Sequence, residues 1–333
     1  MRVAVAVAGI GCVVVALVCG AWWWDFHRPR ALPREGFFLR VGAGDSFGRV
    51  AEELAERGFV RSPWELRLWG KLTGSERLVR PGDYWFQHAL SPRELLAELE
   101  SGRLGRHAFL VREGDTLADV AEQFEALGFG GRDVFRCAAR NAALAERVGR
   151  PATGLEGYLF PDTYHFVWSE RPEALVAAML DRFVERTRDL DAERERLRMS
   201  VHEMVTLASI VEKETASPEE RPLVAAVFHN RLRAGMKLQA DPTAMYGSGR
   251  NGPPGRADLE AEHAYNTYRH FGLPPGPICN PGRASLEAAV RPAAVDYLYF
   301  VARGDGTHVF ARTLEEHNRN VARWRPKASS SQP

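Results

Sequence analysis

The first pattern along the chain is an uninterrupted apolar run. Val3 to Trp24 carries no charged residue and is about as long as a helix needs to cross a bilayer, roughly 20 residues. Arg2 precedes it, and Trp22, Trp23 and Trp24 close it as an interfacial aromatic belt would. A cleaved signal peptide and a buried core helix are the competing readings. The run is longer than a usual signal-peptide core, and no A-x-A-like cleavage site follows. A core helix does not suit the polar His27-Arg28-Pro29-Arg30 behind it. The pattern predicts a transmembrane anchor over 1–24 and a linker over 25–36. His27, Arg28, Arg30 and Arg34 outnumber the positive charge ahead of the run, which by local counting favours a cytoplasmic domain. Long domains, however, translocate largely regardless of such charge.

A repeat follows. Val41-Gly42-Ala43-Gly44-Asp45-Ser46 precedes Val50-Ala51-Glu52 and Gly58-Phe59; further on, Val111-Arg112-Glu113-Gly114-Asp115-Thr116 precedes Val120-Ala121-Glu122 and Gly128-Phe129. Each copy reads as strand, Gly-Asp turn, Ser/Thr cap, short amphipathic helix and glycine stop. A third Gly-Asp pair, Gly82-Asp83, precedes a strand-like Tyr84-Trp85-Phe86. The repeat resembles LysM-like modules, small units that bind N-acetylglucosamine polymers. Glycan binding and plain scaffolding are equally open, because the repeat specifies a shape and not a site.

Beyond a short helical stretch over Asp133–Val148, a second region opens with Leu155-Glu156-Gly157-Tyr158-Leu159-Phe160-Pro161. The domain boundary is expected near 150. A long charged helix is expected over Pro172–Arg198, with Leu175, Ala178, Met179, Phe183 and Val184 on its apolar face.

Chemistry concentrates after Ser200. Ser200 and Glu203 form a capping-box pattern, so a helix starts there. It continues as MVTLASIVEKET, too apolar for a surface helix. Leu207, Ile210, Val211 and Glu214 fall at i, i+3, i+4 and i+7, which sets Glu214 at the end of the bulkiest apolar stripe. Glu212 lies about 200° away around the helix, so the two carboxylates cannot share one cleft. Burial raises a carboxyl's pKa, and a helix C-terminus disfavours negative charge. A carboxyl still protonated near neutral pH can donate to a leaving group. The competing reading is an ion pair with Lys213 or Arg221.

Ser217-Pro218-x-Glu220 predicts a second helix start, with Pro222 offering another one turn later. That helix runs to Gly235. Polar and aromatic residues then alternate in three loops: Leu238 to Gly247, Ala264 to Tyr268, and Gly272 to Gly282. Tyr rings stack on sugar faces, and Asn, Gln and Thr supply directional hydrogen bonds. Glu156 can orient substrate or simply cap, and Asp241-Pro242 can be a site or a turn. A hairpin is expected from Tyr297–Ala302, Gly304-Asp305-Gly306 and His308–Phe310, then a helix over Leu314–Trp324.

Composition changes little. The chain has 333 residues, and 44 Lys+Arg nearly balance 43 Asp+Glu. No dense basic stripe is present, which argues against a nucleic-acid partner. Cys137 and Cys279 have no metal spacing, and a disulfide between them is open; Cys12 and Cys19 sit in the apolar run without a good lipoprotein box. No metal or nucleotide motif appears, so no cofactor is expected.

The strings LEGYLFPDTY, LASIVEKET, VFHNRL-x-x-GMKLQADPT-x-x-YG, AYNTY, GLPPGPI-x-NPG and YLYFVA resemble the endolytic murein transglycosylase (YceG-like) family over nearly the whole chain. The resemblance implies an α+β protein: an N-terminal transmembrane helix, a LysM-like α/β region over 37–150 with repeats near 40–60 and 110–130, and an α+β catalytic domain over 151–325. A helical core would carry the catalytic Glu. The tail, 326–333, is expected to be disordered. Glu214 takes the catalytic place. Glu156, Tyr158, Glu212, Asn230, Gln239, Asp241, Thr243, Tyr246, Tyr265, Asn266, Thr267, Tyr268, Pro274 and Asn280 are the candidate substrate contacts. The reaction implied is cleavage of the bond between N-acetylmuramic acid and N-acetylglucosamine in nascent peptidoglycan, leaving a 1,6-anhydro end and terminating strand elongation. The implied setting is the inner (plasma) membrane, single-pass, with the N-terminus cytoplasmic and the catalytic domain outside, beside the peptidoglycan synthases. Two rivals remain: a glycoside hydrolase using Asp241 or Glu212 as second carboxylate, and a non-catalytic peptidoglycan-binding protein.

Overall fold

Ser46 and Thr116 hold equivalent places in the two repeats, and the chain folds alike around them. Asp45 accepts the Gly42 N–H at 2.7 Å and Asp115 accepts the Arg112 N–H at 2.9 Å, closing the same turn. Each hydroxyl then caps a helix, Ser46 accepting from the Arg49 N–H and Thr116 from the Asp119 N–H. Gly58 and Gly128, at φ +80° and +76°, end those helices. This computed structural model describes residues 13–14, 16–17, 20–30, 37–42, 44–86, 89–102, 107–149, 154–167, 171–246, 248 and 252–324.

The chain divides into two units, Met1–His107 with His165–Glu170, and Ala108–Tyr164 with Arg171–Pro333. In the first, residues 20–27 are helical (α1). Strand β1 (Phe37–Val41) pairs antiparallel with β2 (Gly82–Phe86), Leu39 opposite Tyr84. Helices α2 (Phe47–Glu56), α3 (Pro63–Thr73) and α4 (Pro92–Ser101) complete the unit. Leu39, Leu54, Leu66, Tyr84, Leu95 and Leu99 form its core. Phe26 belongs to that core and stacks on Trp69 at 4.0 Å, so the expected linker begins inside folded structure. The expected anchor falls mostly outside the described residues, and among those described no helix is long and apolar enough to cross a membrane. The tail beyond 324 also lies outside them.

Strand β3 (His107–Leu110) pairs with β4 (Thr163–Phe166) where the chain passes between units. The second unit continues with α5 (Leu117–Ala126), α6 (Arg132–Ala138) and α7 (Ala142–Glu146). This division falls at 107, whereas the end of the 133–148 helical stretch and the motif opening at Leu155 set the expected boundary near 150. The reason is a set of backbone bonds no local pattern foretells. The Gly114 N–H donates to the Asn280 carbonyl at 2.9 Å, and the Asn280 N–H returns to the Asp115 carbonyl at 2.8 Å. These bonds join the second repeat to the last third of the chain.

The predicted long helix is broken into α8 (Pro172–Thr187), a 3₁₀ turn and α9 (Asp191–Arg196). At the break the Thr187 hydroxyl donates back to the Phe183 carbonyl at 2.8 Å, the side-chain back-bonding that loosens helices. Helix α10 (Val201–Glu214) has the predicted Ser200/Glu203 capping box. Every residue from Met204 to Val211 is buried, as expected of a helix apolar all round. It packs between α11 (Arg221–Arg233) and α14 (Arg283–Val290). Helix α11 starts at the Pro222 option. Short helices α12 (Asp241–Met245) and α13 (Arg256–Glu260) precede α14, and the hairpin β5 (Tyr299–Ala302)–β6 (His308–Ala311) and α15 (Leu314–Trp324) close the unit. Cys137 is exposed and Cys279 buried, and they are not joined.

Gly157 locks the 155–160 loop onto α10. Its φ is +86°, and a Cβ there would lie 2.4 Å from Pro277 and 2.9 Å from Val205. Gly157→Ala should lower unfolding free energy by about 2–4 kcal/mol, from backbone strain plus overpacking. Denaturant titration should show a lower midpoint with an unchanged slope.

Candidate active site

Helix α10 ends where its apolar stripe ends, and this places Glu214. Thr215, in extended conformation, caps the helix by donating its N–H to the Val211 carbonyl. The Glu214 side chain lines a cavity of about 450 Å³ with Arg231, Gln239, Asp241, Tyr268, Phe300 and His308 among its walls. The residue keeps part of its surface open to that cavity, yet protein surrounds it closely. Burial pushes its carboxyl up to about 8; the nearby Asp241 charge adds to the rise, and Arg231 opposes it. Among the described residues Glu214 makes no ion pair. Arg221, one of the two cations the competing ion-pair reading offered, instead reaches Glu212 at 3.2 Å.

Arg231 comes from the last turn of α11. Its Nε donates to the Leu298 carbonyl at 2.7 Å and its Nη1 to the Leu238 carbonyl at 2.8 Å. The guanidinium also lies 5.1 Å from the Tyr299 ring centroid. It ties three segments together while keeping a positive charge near Glu214. Gln239 has φ +52°, a conformation rarely taken by a non-glycine residue. Its backbone N–H donates to the Thr267 carbonyl at 3.2 Å, and its side-chain oxygen accepts from Arg231 at 3.3 Å. Such strain is found where surroundings hold a residue in place for function.

Asp241 belongs to the wall between this cavity and a second one, of about 760 Å³. Its Oδ1 accepts the Tyr268 hydroxyl. The second cavity is lined by Glu156, Lys213, Pro242, Tyr246, Asp119 and Pro254, among others. Both cavities fall within the usual size range for ligand sites. Glu156 accepts the Leu117 N–H at 2.9 Å and the Tyr246 hydroxyl at 3.2 Å. Burial nonetheless raises its carboxyl to about 7, those two hydrogen bonds working against the rise. Tyr265 stands against Tyr246, with ring centroids 4.6 Å apart.

The structure thus gathers Glu214, Gln239, Asp241, Tyr268, Glu156 and Tyr246 around two adjoining cavities. Most of the other candidates with polar side chains hold backbone or side-chain partners within the protein. Thr243 and Thr267 bond each other at 2.7 Å and hold the 238–243 turn to the 264–268 loop. Asn266 donates to the Asp258, Leu259 and Ala261 carbonyls. Asn280 bridges the Leu159 N–H and the Asp115 carbonyl. Asn230 donates to the Val295 and Tyr297 carbonyls. Tyr158 is fully buried, its hydroxyl 3.2 Å from His202 Nδ1. Glu212 faces Arg221 and the Gly282 N–H, and Pro274 is buried outside both cavities.

Arg231, His308 and His317 also line the Glu214 cavity, and sequence reasoning did not select them. No local pattern marks His308: its place at the cavity depends on how the β5–β6 hairpin packs.

The YceG-like family model matches residues 39–323. An endolytic murein transglycosylase of Bacillus subtilis is 32% identical over 304 residues, covering 84% of this chain and 82% of that protein. One of the same name from Streptococcus pneumoniae is 28% identical, covering 86% of this chain, and the match spans 58% of that longer protein. The crystal structure of a YceG-like protein from Listeria monocytogenes superposes with a TM-score of 0.60 at 28% identity, covering 86% of this chain and 99% of that one. A family match spanning both units and every wall of the Glu214 cavity settles the relationship, and the chain belongs to the YceG-like family.

Proposed function

We propose that this protein is an endolytic lytic transglycosylase of peptidoglycan, with Glu214 as its single acid/base. The observation that carries the reading is a cavity-lining carboxyl held protonated up to about pH 8. In that state Glu214 donates its proton to the glycosidic oxygen between N-acetylmuramic acid and N-acetylglucosamine. The resulting carboxylate takes the proton of the muramic C6 hydroxyl as that oxygen bonds C1. The bond to the leaving sugar breaks, a 1,6-anhydro end forms, and the carboxyl returns to its starting state without consuming water. Arg231 steadies the charged interval, since it is the cation acting on Glu214. Tyr268, Gln239 and Asp241 border the sugar beside Glu214. Glu156 and Tyr246 border the adjoining cavity, so a strand crossing the Asp241 wall is cut within its length.

The names of the relatives in Bacillus and Streptococcus support this substrate and this reaction. The charge-free run ending at Trp24 supports a single-pass anchor in the plasma membrane. With the N-terminus cytoplasmic, the catalytic unit would work outside on strands leaving the synthases, ending their elongation. The second repeat, built into the catalytic unit, serves as scaffold in this reading.

A hydrolase keeps one supporting observation: Asp241 lies in the same cavity as Glu214. Product mass separates the two, because transglycosylation leaves an end one water lighter than hydrolysis. Glu214→Gln should reduce glycan cleavage at least about 1,000-fold while the protein still folds, judged by mass spectrometry of digests and by circular dichroism. A reducing-end product would favour the hydrolase, undiminished cleavage by the variant would remove Glu214 from the acid/base role, and absence of cleavage by the wild type would leave only a binding role.

The raised carboxyl fixes two pH dependences. A proton donor must be protonated, so kcat/KM should fall tenfold per pH unit above about 8. In stability, the folded chain holds a proton on Glu214 that the unfolded chain releases above its ordinary value of 4.5. Unfolding free energy therefore drops as pH climbs between these two values. Glu214→Gln is exempt from that loss, and its advantage over the wild type should grow from pH 5 to pH 8 and then level off. A gain of a few kcal/mol is expected, since each tenfold change in proton affinity corresponds to about 1.4 kcal/mol. Thermal melts across pH 5–9 measure it.

A further inference from the structure

The hairpin β5–β6 brings a histidine into the Glu214 cavity, and an acidic residue outside the proposed mechanism fixes its orientation. His308 opens β6 and lines that cavity. Its backbone N–H donates to Glu220 Oε1 at 2.8 Å, and its ring Nδ1 lies 2.7 Å from Glu220 Oε2. Glu220 is in turn approached by the hydroxyl of Thr215, the residue after Glu214, at 3.4 Å. The pair is nearly enclosed, with side-chain exposures of 11% for His308 and 12% for Glu220. Phe300 meets the imidazole edge-on at 5.4 Å and walls the same cavity.

A carboxylate opposite Nδ1 demands a proton on Nδ1, which leaves Nε2 of the neutral ring as an acceptor. Among the described residues Nε2 has no hydrogen-bond partner. The ring lines the Glu214 cavity, so an unpaired nitrogen on it is available to a molecule bound there. We propose that His308 is a further substrate-contacting residue, its Nε2 accepting a hydrogen bond from a hydroxyl of the sugar seated against Glu214, with Glu220 as the positioning residue that sets its tautomer. This rests on the glycan-cleaving reading of the same cavity. The short path Glu214–Thr215–Glu220–His308 also registers the acceptor against the acid.

The test uses the purified full-length protein and uncrosslinked glycan strands, comparing wild type, His308→Asn and Glu220→Gln. Asn can keep a donor at the Nδ1 position toward Glu220 while deleting Nε2. Gln at 220 presents a donor to Nδ1 and drives the ring proton onto Nε2, removing the acceptor without removing the ring. Both variants should melt near the wild-type temperature and lose about tenfold or more in kcat/KM. The ¹⁵N shifts of the His308 ring should report Nδ1–H in the wild type and Nε2–H in Glu220→Gln. Wild-type kcat/KM in folded His308→Asn overturns the proposal, because a purely structural bond to Glu220 survives there. If His308→Asn does not fold, Glu220→Gln decides alone: a tenfold loss sustains the proposal and unchanged kcat/KM overturns it. Absence of cleavage by the wild type itself would instead sink the underlying enzymatic reading.

Discussion

A carboxyl group that the protein will not let ionise near neutral pH is the constraint on which the site is built. Helix α10 is buried along most of its length, so its last residue emerges among packed side chains and not into bulk water. Desolvating a carboxylate is costly unless a cation or hydrogen-bond donors compensate. For Glu214 that compensation is partial: Arg231 pulls the pKa down, while Asp241 and burial push it up, and burial prevails. Glu212, two residues earlier, shows the contrast. It has Arg221 and a backbone N–H as hydrogen-bond partners. One helix thus presents two acids in different surroundings, one paired and one lining a cavity.

Holding Glu214 in this state requires its neighbours to stay fixed, and most of the polar residues nearby do that work. Loops without regular secondary structure leave backbone groups in want of partners. Asn230, Asn266 and Asn280 supply them, as do the Thr243–Thr267 pair and the guanidinium of Arg231. Asn280 is the longest-range of these, reaching back to Asp115 in the second repeat. The consequence is a pair of adjoining cavities that share Asp241 as a wall.

Much of this was legible in the sequence because it is local. The two Gly-Asp repeats, the Ser200/Glu203 cap, the apolar stripe ending at Glu214 and the C-terminal hairpin each depend on a few adjacent residues, and each is found where its pattern put it. The unit boundary was not legible, since it depends on backbone bonds between residues far apart in the chain, near 114 and 280. The division of labour among polar loop residues was hidden for the same reason. Asn266 and Gln239 look equally fit to hold a sugar, but only the fold reveals that the Asn266 amide is consumed by three carbonyls while Gln239 borders the cavity. Arg231 and His308 escaped notice because their significance lies in what they face across α11 and β6, and neither carries a motif of its own.

The central claim is the protonation state of one side chain, and it can be observed without any substrate. In protein labelled with ¹³C at the glutamate carboxyls, with Glu214→Gln to assign the signal, the Glu214 resonance should titrate with a midpoint of about 8 and remain that of the acid at pH 7. A midpoint near the ordinary glutamate value of 4.5 would contradict the account.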